Sequence, residues 1–130
     1  MASLLLIEDD QPLRAAMARI LRSAGYRVLE AANGADGLAL MARHAPDLII
    51  TDINMPEMDG IEVMNRIRDS ESGIPVLAVS GGGRISKTVL LDDILLLGAA
   101  GALEKPFDPE GLLAAVSQAL PARTEADHDS

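Results

Sequence analysis

The chain has no cysteine, no tryptophan and only two other aromatic residues, Tyr26 and Phe107. The absence of cysteine excludes disulfide bonds and metal sites with thiolate ligands. A core with so few aromatic side chains must consist of aliphatic residues and alanine, and a hydrophobic content of 48% is sufficient for one. A chain of 130 residues is expected to fold as a single domain that buries about two thirds of its unfolded surface.

The chain also lacks a long apolar run and a basic amino-terminal segment. No run approaches the roughly 20 residues of a membrane-spanning helix. The first residues lead directly into Glu8, Asp9 and Asp10 and do not form the basic start of a signal peptide. The net charge of −9 disfavours direct binding to nucleic acid or to an anionic membrane, and it suits the capture of cations. We therefore expect a cytoplasmic protein that binds neither nucleic acid nor membrane directly.

Short apolar runs alternate with amphipathic helical patterns along the chain. Residues 48–50 (Leu-Ile-Ile) and 76–79 (Val-Leu-Ala-Val) are apolar without alternation, which is typical of strands that are covered on both faces. The predicted strands cover residues 4–7, 26–32, 48–50, 75–79 and 102–104, and the predicted helices begin near residues 12, 34, 60, 88 and 109. These five strand–helix units predict an α/β fold, in which five helices cover both faces of a five-stranded parallel sheet.

A cluster of polar residues is predicted where these strands end. In a doubly wound parallel sheet, ligands bind at the carboxyl ends of the strands. The residues that follow the predicted strands are acids, an amide, a hydroxyl and a lysine: Glu8, Asp9, Asp10, Asp52, Asn54, Ser80 and Lys105. Taken singly, each has an ordinary structural interpretation, such as a helix cap, a turn residue or a solvent-exposed lysine. Because the fold brings these strand ends to one edge, we interpret the residues together as a functional site.

The residue types at this edge suit phosphoryl transfer assisted by a cation. Crowded carboxylates raise one another's pKa, and a divalent cation relieves their repulsion. Mg²⁺ prefers oxygen ligands and keeps several waters, so one or two carboxylates and a backbone carbonyl are sufficient. Asp52 could bind the cation through one oxygen and attack phosphorus through the other, since an ionised carboxylate needs no general base. Lys105 and the cation would neutralise the transferring group, and Ser80 could donate a hydrogen bond to it.

Four segments of the sequence resemble the signature blocks of response-regulator receiver domains from two-component signalling systems. They are Leu5–Asp10, Ile50–Gly60 (ITDINMPEMDG), Val76–Gly81 and Glu104–Phe107. The resemblance extends from residue 3 to about residue 120, and it implies a flavodoxin-like doubly wound fold with strand order 2-1-3-4-5. We accordingly expect residues 1–121 to form the receiver domain and the polar residues 122–130 to form a disordered tail.

The resemblance also implies a magnesium site. It assigns Asp9 and Asp52 as direct ligands of Mg²⁺, Glu8 as a ligand through water, and Asn54 as a ligand through its backbone carbonyl. Asp10 matches no ligand position, and we interpret it as a surface residue or a helix cap.

For the reaction, the resemblance implies that Asp52 is the phosphoacceptor and that Ser80 and Lys105 contact the phosphoryl group. It also implies a cis peptide bond before Pro106. The expected donor is a phosphohistidine of a sensor histidine kinase or of a histidine phosphotransfer protein. Phosphorylation is expected to change binding to an unidentified downstream protein, so that the chain is a signalling switch and not a turnover enzyme.

The sequence departs from the family pattern at Ala102. Receiver domains usually place Tyr or Phe three residues before the lysine, where the ring reports phosphorylation. The apolar helix predicted at residues 88–97 could provide a different output, because helical spacing leaves Val89 and Leu96 adjacent and exposed. We expect this helix to be a contact surface for a partner or for a second copy of the chain.

Two other phosphate-handling classes share parts of this pattern. A haloacid-dehalogenase-like phosphatase also uses an aspartate nucleophile, but it needs a second aspartate two positions later, where this chain has Asn54. Residues 81–88 (GGGRISKT) nearly match a P-loop, but Ser86 replaces the second glycine. Within the receiver interpretation, the chain is either a complete one-domain regulator or a receiver cut from a longer regulator with an output domain. Met1 and the short polar tail favour the first of these.

Overall fold

The computed structural model describes residues 2–53, 60–70, 73–81 and 98–121, and within these ranges strands and helices alternate from the first strand to the fourth. The strands are β1 (Ser3–Ile7), β2 (Arg27–Ala31), β3 (Leu48–Asp52), β4 (Val76–Gly81) and β5 (Gly101–Lys105). The helices are α1 (Gln11–Ser23), α2 (Gly34–His44), α3 (Gly60–Asp69) and α4 (Pro109–Ala119). The helix and contact surface predicted at residues 88–97 lie outside the described residues, as does the tail predicted at residues 122–130.

The five strands form one parallel sheet in the order β2-β1-β3-β4-β5. This confirms the predicted doubly wound, flavodoxin-like arrangement. The strand order reverses between β1 and β3, and ligands in such sheets bind in the crevice at this point of reversal. Ile7 at the end of β1 lies opposite Thr51, so that Glu8 and Asp52 follow on adjacent strands. The topology therefore places two of the predicted site acids side by side.

The core has two layers because successive strand side chains point to opposite faces of the sheet and both faces are covered. One layer packs against α1 and α4 and contains Leu4, Leu6, Met17, Leu21, Leu48, Ile50, Leu77, Leu112 and Val116. The other layer packs against α2 and α3 and contains Leu5, Ile7, Ile49, Val63, Met64, Ile67, Val76 and Ala78. These buried side chains are aliphatic, whereas Tyr26 and Phe107 pack on the first layer only partly buried. The predicted aliphatic core is confirmed for the described residues.

Local sequence signals set the ends of the helices that flank the site. The Asp10 carboxylate accepts a hydrogen bond of 3.1 Å from the backbone N–H of Leu13 and thereby caps α1. Asp108 caps α4 in the same way, with a bond of 2.7 Å from Gly111. After α1, Gly25 has a φ of 100°, a conformation that side chains with a Cβ rarely adopt. Among the described helices, none has the length and apolar character needed to cross a membrane.

Candidate functional site

The carboxyl ends of β1, β3 and β5 bring together the charged side chains that the sequence analysis singled out. One carboxylate oxygen from each of Glu8, Asp9 and Asp52 lies within 4.8 Å of the others. The amine of Lys105 lies 2.9 Å from Oδ2 of Asp52 and 3.1 Å from Oε1 of Glu8. Glu8 and Asp52 are buried, whereas Asp9 is exposed to solvent. The predicted convergence of these four residues is therefore present in the structure.

Strand alternation explains why Glu8, Asp52 and Lys105 meet. Side chains two positions apart on a strand point to the same face of the sheet. Each of the three follows by two positions a residue that packs in the layer against α1 and α4, namely Leu6, Ile50 and Leu103. Because β4 lies between β3 and β5, the long lysine side chain reaches across the end of β4 to the two acids. The peptide bond after this lysine, before Pro106, is cis, as the resemblance implied.

Ser80 lies at the end of β4 and offers an unpaired hydroxyl. The residue is 1% exposed, and its Oγ has no hydrogen-bond partner among the described residues. It lies opposite Glu104, one position before Lys105, and follows Val79, whose partner on β3 is Asp52. A buried hydroxyl without a partner is unfavourable. A group bound at this edge that accepts a hydrogen bond from Ser80 would remove that cost.

Burial dominates the electrostatics of Glu8. The pKa of this carboxyl is raised from 4.5 to about 7, chiefly by burial and in smaller part by the negative charge of Asp52. Two contacts act in the opposite direction: the backbone N–H of Asp10, which donates a hydrogen bond of 3.1 Å to Oε2, and the amine of Lys105. Oε1 accepts no hydrogen bond although the lysine amine is 3.1 Å away. Glu8 thus presents a buried oxygen that is ion-paired with Lys105 and still has the capacity to accept a hydrogen bond or bind a cation.

Lys105 remains a cation in this setting. Its partial burial would by itself lower the pKa of the amine. The hydrogen bond and charge attraction of Asp52, and then the attraction of the nearby Glu8 carboxylate, outweigh burial and raise the pKa above its ordinary value. The lysine therefore compensates part of the negative charge of the site.

The donor set fits a hard divalent cation. Three carboxylates within 4.8 Å of one another supply the oxygen ligands that Mg²⁺ prefers, and one of them keeps a buried oxygen without a hydrogen bond. The ion pairs of Lys105 with Glu8 and Asp52 offset part of the negative charge of the three carboxylates, and a divalent cation would offset more of it. Asn54, predicted as a backbone ligand, lies outside the described residues. Asp10 caps α1, which agrees with its interpretation as a cap.

Arg14 is a residue of the site that the sequence analysis missed. Its Nη1 donates a hydrogen bond of 2.8 Å to the backbone carbonyl of Glu8. The available signal was its place on α1, three and seven positions before the buried Met17 and Leu21. A charged residue on the inner face of an amphipathic helix needs a partner, and here that partner is the loop of the candidate site.

A family model and several individual proteins match this chain. The model of the response regulator receiver domain matches residues 4–117. Response regulator MprA of Mycobacterium leprae (strain TN) is 36% identical over 124 residues, which are 95% of this chain and 53% of that protein. Sporulation initiation phosphotransferase F of Bacillus subtilis (strain 168) is 29% identical over 121 residues, 93% of this chain and 95% of that protein.

A solved structure of a chemotaxis response regulator has the same fold as this chain. Chemotaxis protein CheY4 of Vibrio cholerae superposes with a TM-score of 0.82 at 33% identity, covering 92% of this chain and 99% of that one. The chain spans only about a quarter to a half of the length of the regulators that head the curated matches. The family match itself covers most of the chain and agrees with the sheet order and the strand-end acids. The chain therefore belongs to the response regulator receiver domain family.

Proposed function

We propose that this receiver domain is switched by a phosphoryl group carried on Asp52. The donor is a phosphohistidine of a sensor histidine kinase or of a histidine phosphotransfer protein, and the phosphorylated form binds a downstream protein differently. The observation that carries this proposal is the position of Asp52, which is 3% exposed, ion-paired with Lys105 and grouped with two further acids at the sheet edge. The role is that of a switch that modifies itself, not of an enzyme that turns over a substrate.

The chemistry requires little beyond the charged groups of the chain. An oxygen of Asp52 forms a bond to phosphorus while the phosphorus–nitrogen bond of the phosphohistidine breaks, and the electron pair of that bond returns to the imidazole. The carboxylate attacks in its ionised form and needs no general base. Lys105, whose amine is 2.9 Å from Asp52, neutralises negative charge that passes onto the phosphoryl oxygens. Ser80 donates its unpaired hydroxyl hydrogen to one of these oxygens.

Glu8, Asp9 and Asp52 would hold Mg²⁺, with the backbone carbonyl of Asn54 as a further proposed ligand. The bound ion would neutralise charge on the transferring group, in addition to the neutralisation by Lys105. Without it, the three carboxylates repel one another, and Lys105 offsets part of this repulsion through its ion pairs with Glu8 and Asp52.

The architecture of the full-length protein is a separate proposal. MprA is about twice the length of the segment that matches it, whereas sporulation initiation phosphotransferase F is matched over nearly its whole length. The relatives therefore include both a protein of about the length of this chain and proteins with about as many residues again beyond the matched segment. The mechanism at Asp52 is the same in either case, because the acids and Lys105 all come from this domain.

The proposal is tested by intact-mass measurement after incubation with acetyl phosphate and MgCl₂. We expect one added phosphoryl group on the wild type, loss of the added mass with EDTA, and no addition to Asp52→Asn. Asp69→Asn is the matched control, because Asp69 is an exposed aspartate at the end of α3 and should be labelled normally when changed. Equal labelling of Asp52→Asn and wild type would refute the assignment of Asp52.

A further inference from the structure

Arg14 connects the loop after β1 with the edge strand β2. Its Nη1 donates a hydrogen bond of 2.8 Å to the carbonyl oxygen of Glu8, and its Nε lies 3.4 Å from Oε1 of Glu30 on β2. The Arg14 side chain is only 16% exposed. Glu30 is held from its other side by Arg22, whose Nη1 lies 3.1 Å from Oε2 and whose Nη2 donates to the carbonyl of Val28. Glu30 therefore orients the guanidinium of Arg14, and Arg22 in turn orients Glu30.

The carbonyl that Arg14 binds is the point where the loop leaves the sheet. β1 ends at Ile7, and the N–H of Glu8 makes a last bond of 3.0 Å to the carbonyl of Ala31 on β2. Beyond this bond the backbone departs from the sheet, and its next carbonyl needs another donor. Arg14 is that donor. Because a peptide group is planar, holding the Glu8 carbonyl also fixes the orientation of the bond that leads into Asp9.

Asp9 depends on this peptide plane more than Glu8 does. The Glu8 carboxylate has its own contacts, with the amine of Lys105 and the N–H of Asp10. Asp9 is exposed, and within the described ranges its carboxylate makes no hydrogen bond or ion pair. The direction of the Asp9 side chain is therefore set by the backbone to which it is attached.

We propose that Arg14 is a positioning residue for the cation site. By holding the Glu8 carbonyl, with its guanidinium braced by Glu30, it keeps the Asp9 carboxylate beside those of Glu8 and Asp52. This inference rests on the proposed function, since it assumes that these acids bind Mg²⁺. Groups that orient a metal ligand through a hydrogen bond commonly change metal affinity by about 10-fold to 100-fold when they are removed.

Charge alone predicts the opposite result, which makes the inference easy to test. Arg14 carries a positive charge near the acids, and a positive charge repels Mg²⁺. If Arg14 acted only through its charge, Arg14→Gln would therefore bind Mg²⁺ more tightly than the wild type. If Arg14 acts by positioning, the same substitution weakens binding. The sign of the change in affinity thus distinguishes the two roles.

The experiment is a titration of the ¹⁵N-labelled chain with MgCl₂, in which the dissociation constant is obtained from amide chemical shifts. We expect Arg14→Gln to weaken binding about tenfold. Arg14→Lys keeps the charge but lacks the planar fork that reaches carbonyl and carboxylate together, so it should also bind more weakly than the wild type. Glu30→Gln should weaken binding alone but add nothing to Arg14→Gln, because it acts through Arg14.

Arg19→Gln is the matched control for the loss of charge. Arg19 lies on the same helix, is exposed, and lies about 7 Å further along the helix axis. We expect its substitution to leave the dissociation constant unchanged or slightly lower. Amide dispersion reports whether each variant is folded, and Arg14→Lys serves as the test if Arg14→Gln does not fold.

Unchanged or tighter binding of Mg²⁺ by folded Arg14→Gln or Arg14→Lys would overturn the inference while leaving the proposed function intact. A wild type that shows no magnesium-dependent shifts at residues 8–10 would overturn both together. The titration therefore distinguishes a chain in which Arg14 does not position the ligands from a chain in which the acids do not bind Mg²⁺.

Discussion

The two ends of β1 treat acidic side chains differently. At the amino end, Oδ2 of Asp47 accepts a hydrogen bond of 2.7 Å from the backbone N–H of Ser3. The backbone N–H of Asp47 in turn donates a hydrogen bond of 2.7 Å to the carbonyl oxygen of Ser3. At the carboxyl end, Lys105 is ion-paired with Glu8 and Asp52, and the Asp9 carboxylate lies beside these two acids without an ion pair among the described residues. The first arrangement stabilises the fold. The second keeps an excess of negative charge in place, and so preserves a site for a cation at the expense of stability.

Neutralising an acid at the carboxyl end should therefore stabilise the metal-free protein. Burial raises the pKa of Glu8 from 4.5 to about 7. Between these values the folded protein keeps a proton that the unfolded chain releases, so the free energy of unfolding falls as the pH rises through this window. Glu8→Gln removes that loss and should raise the free energy of unfolding by up to about 3 kcal/mol near pH 8, with little change near pH 4. Urea denaturation in EDTA at both pH values measures the difference.

The same experiment at the amino end should give the opposite sign. Asp47→Ala removes the acceptor of the Ser3 N–H and should lower the free energy of unfolding by about 1–2 kcal/mol near pH 8. If Glu8→Gln is destabilised near pH 8 to the same extent as Asp47→Ala, then the acid at the carboxyl end stabilises the metal-free fold as the acid at the amino end does, and the proposed difference between the two ends is wrong.

The effect of magnesium on stability should depend on Asp9. We expect MgCl₂ to stabilise the wild type by about 1–3 kcal/mol at high occupancy, following RT ln(1 + [L]/Kd). Asp9→Asn should be more stable than the wild type without metal, because repulsion is reduced, and it should lose the magnesium effect. Thermal melts with and without MgCl₂ decide the matter. An Asp9→Asn melting temperature that rises with magnesium as far as that of the wild type would contradict its role as a ligand.

Ser80 should give the smallest change in stability. Its Oγ is buried without a hydrogen-bond partner among the described residues, so Ser80→Ala removes the cost of that unpaired group and should raise the free energy of unfolding by about 1 kcal/mol. Phosphorylation by acetyl phosphate should nevertheless be slower, since the phosphoryl group loses a donor. A large loss of stability, or an unchanged rate of labelling, would remove Ser80 from the site.

The parallel sheet and the convergence of the acids with Lys105 were predictable from local patterns, whereas the strand order was predicted from the resemblance to receiver domains. Buried runs without alternation predicted a sheet covered on both faces, and strand parity sends Glu8, Asp52 and Lys105 to one side. The role of Arg14 was not predictable in this way. Its contacts join α1, the loop and β2 through long side chains, and their reach depends on packing distances that sequence spacing does not contain.

The sequence patterns also did not predict how phosphorylation changes partner binding, and the reason lies at Ala102. The family device is an aromatic ring at the position of Ala102, and the structure places this alanine opposite Ala78, half-buried on β5. The alternative surface predicted at residues 88–97 lies outside the described residues and stays a prediction. Phosphorylation-dependent association of a Val89→Glu, Leu96→Glu double variant, compared with wild type by sedimentation, would test it.

The position of the phosphoryl group tests the central claim most directly. An acyl phosphate formed with acetyl phosphate and MgCl₂ can be reduced with borohydride, which marks the modified carboxyl, and peptide mass spectrometry then locates the mark. We predict that the mark falls on Asp52 and that it is absent when EDTA replaces MgCl₂. A mark on Glu8, on Asp9 or on any other acid in place of Asp52 would contradict the assignment.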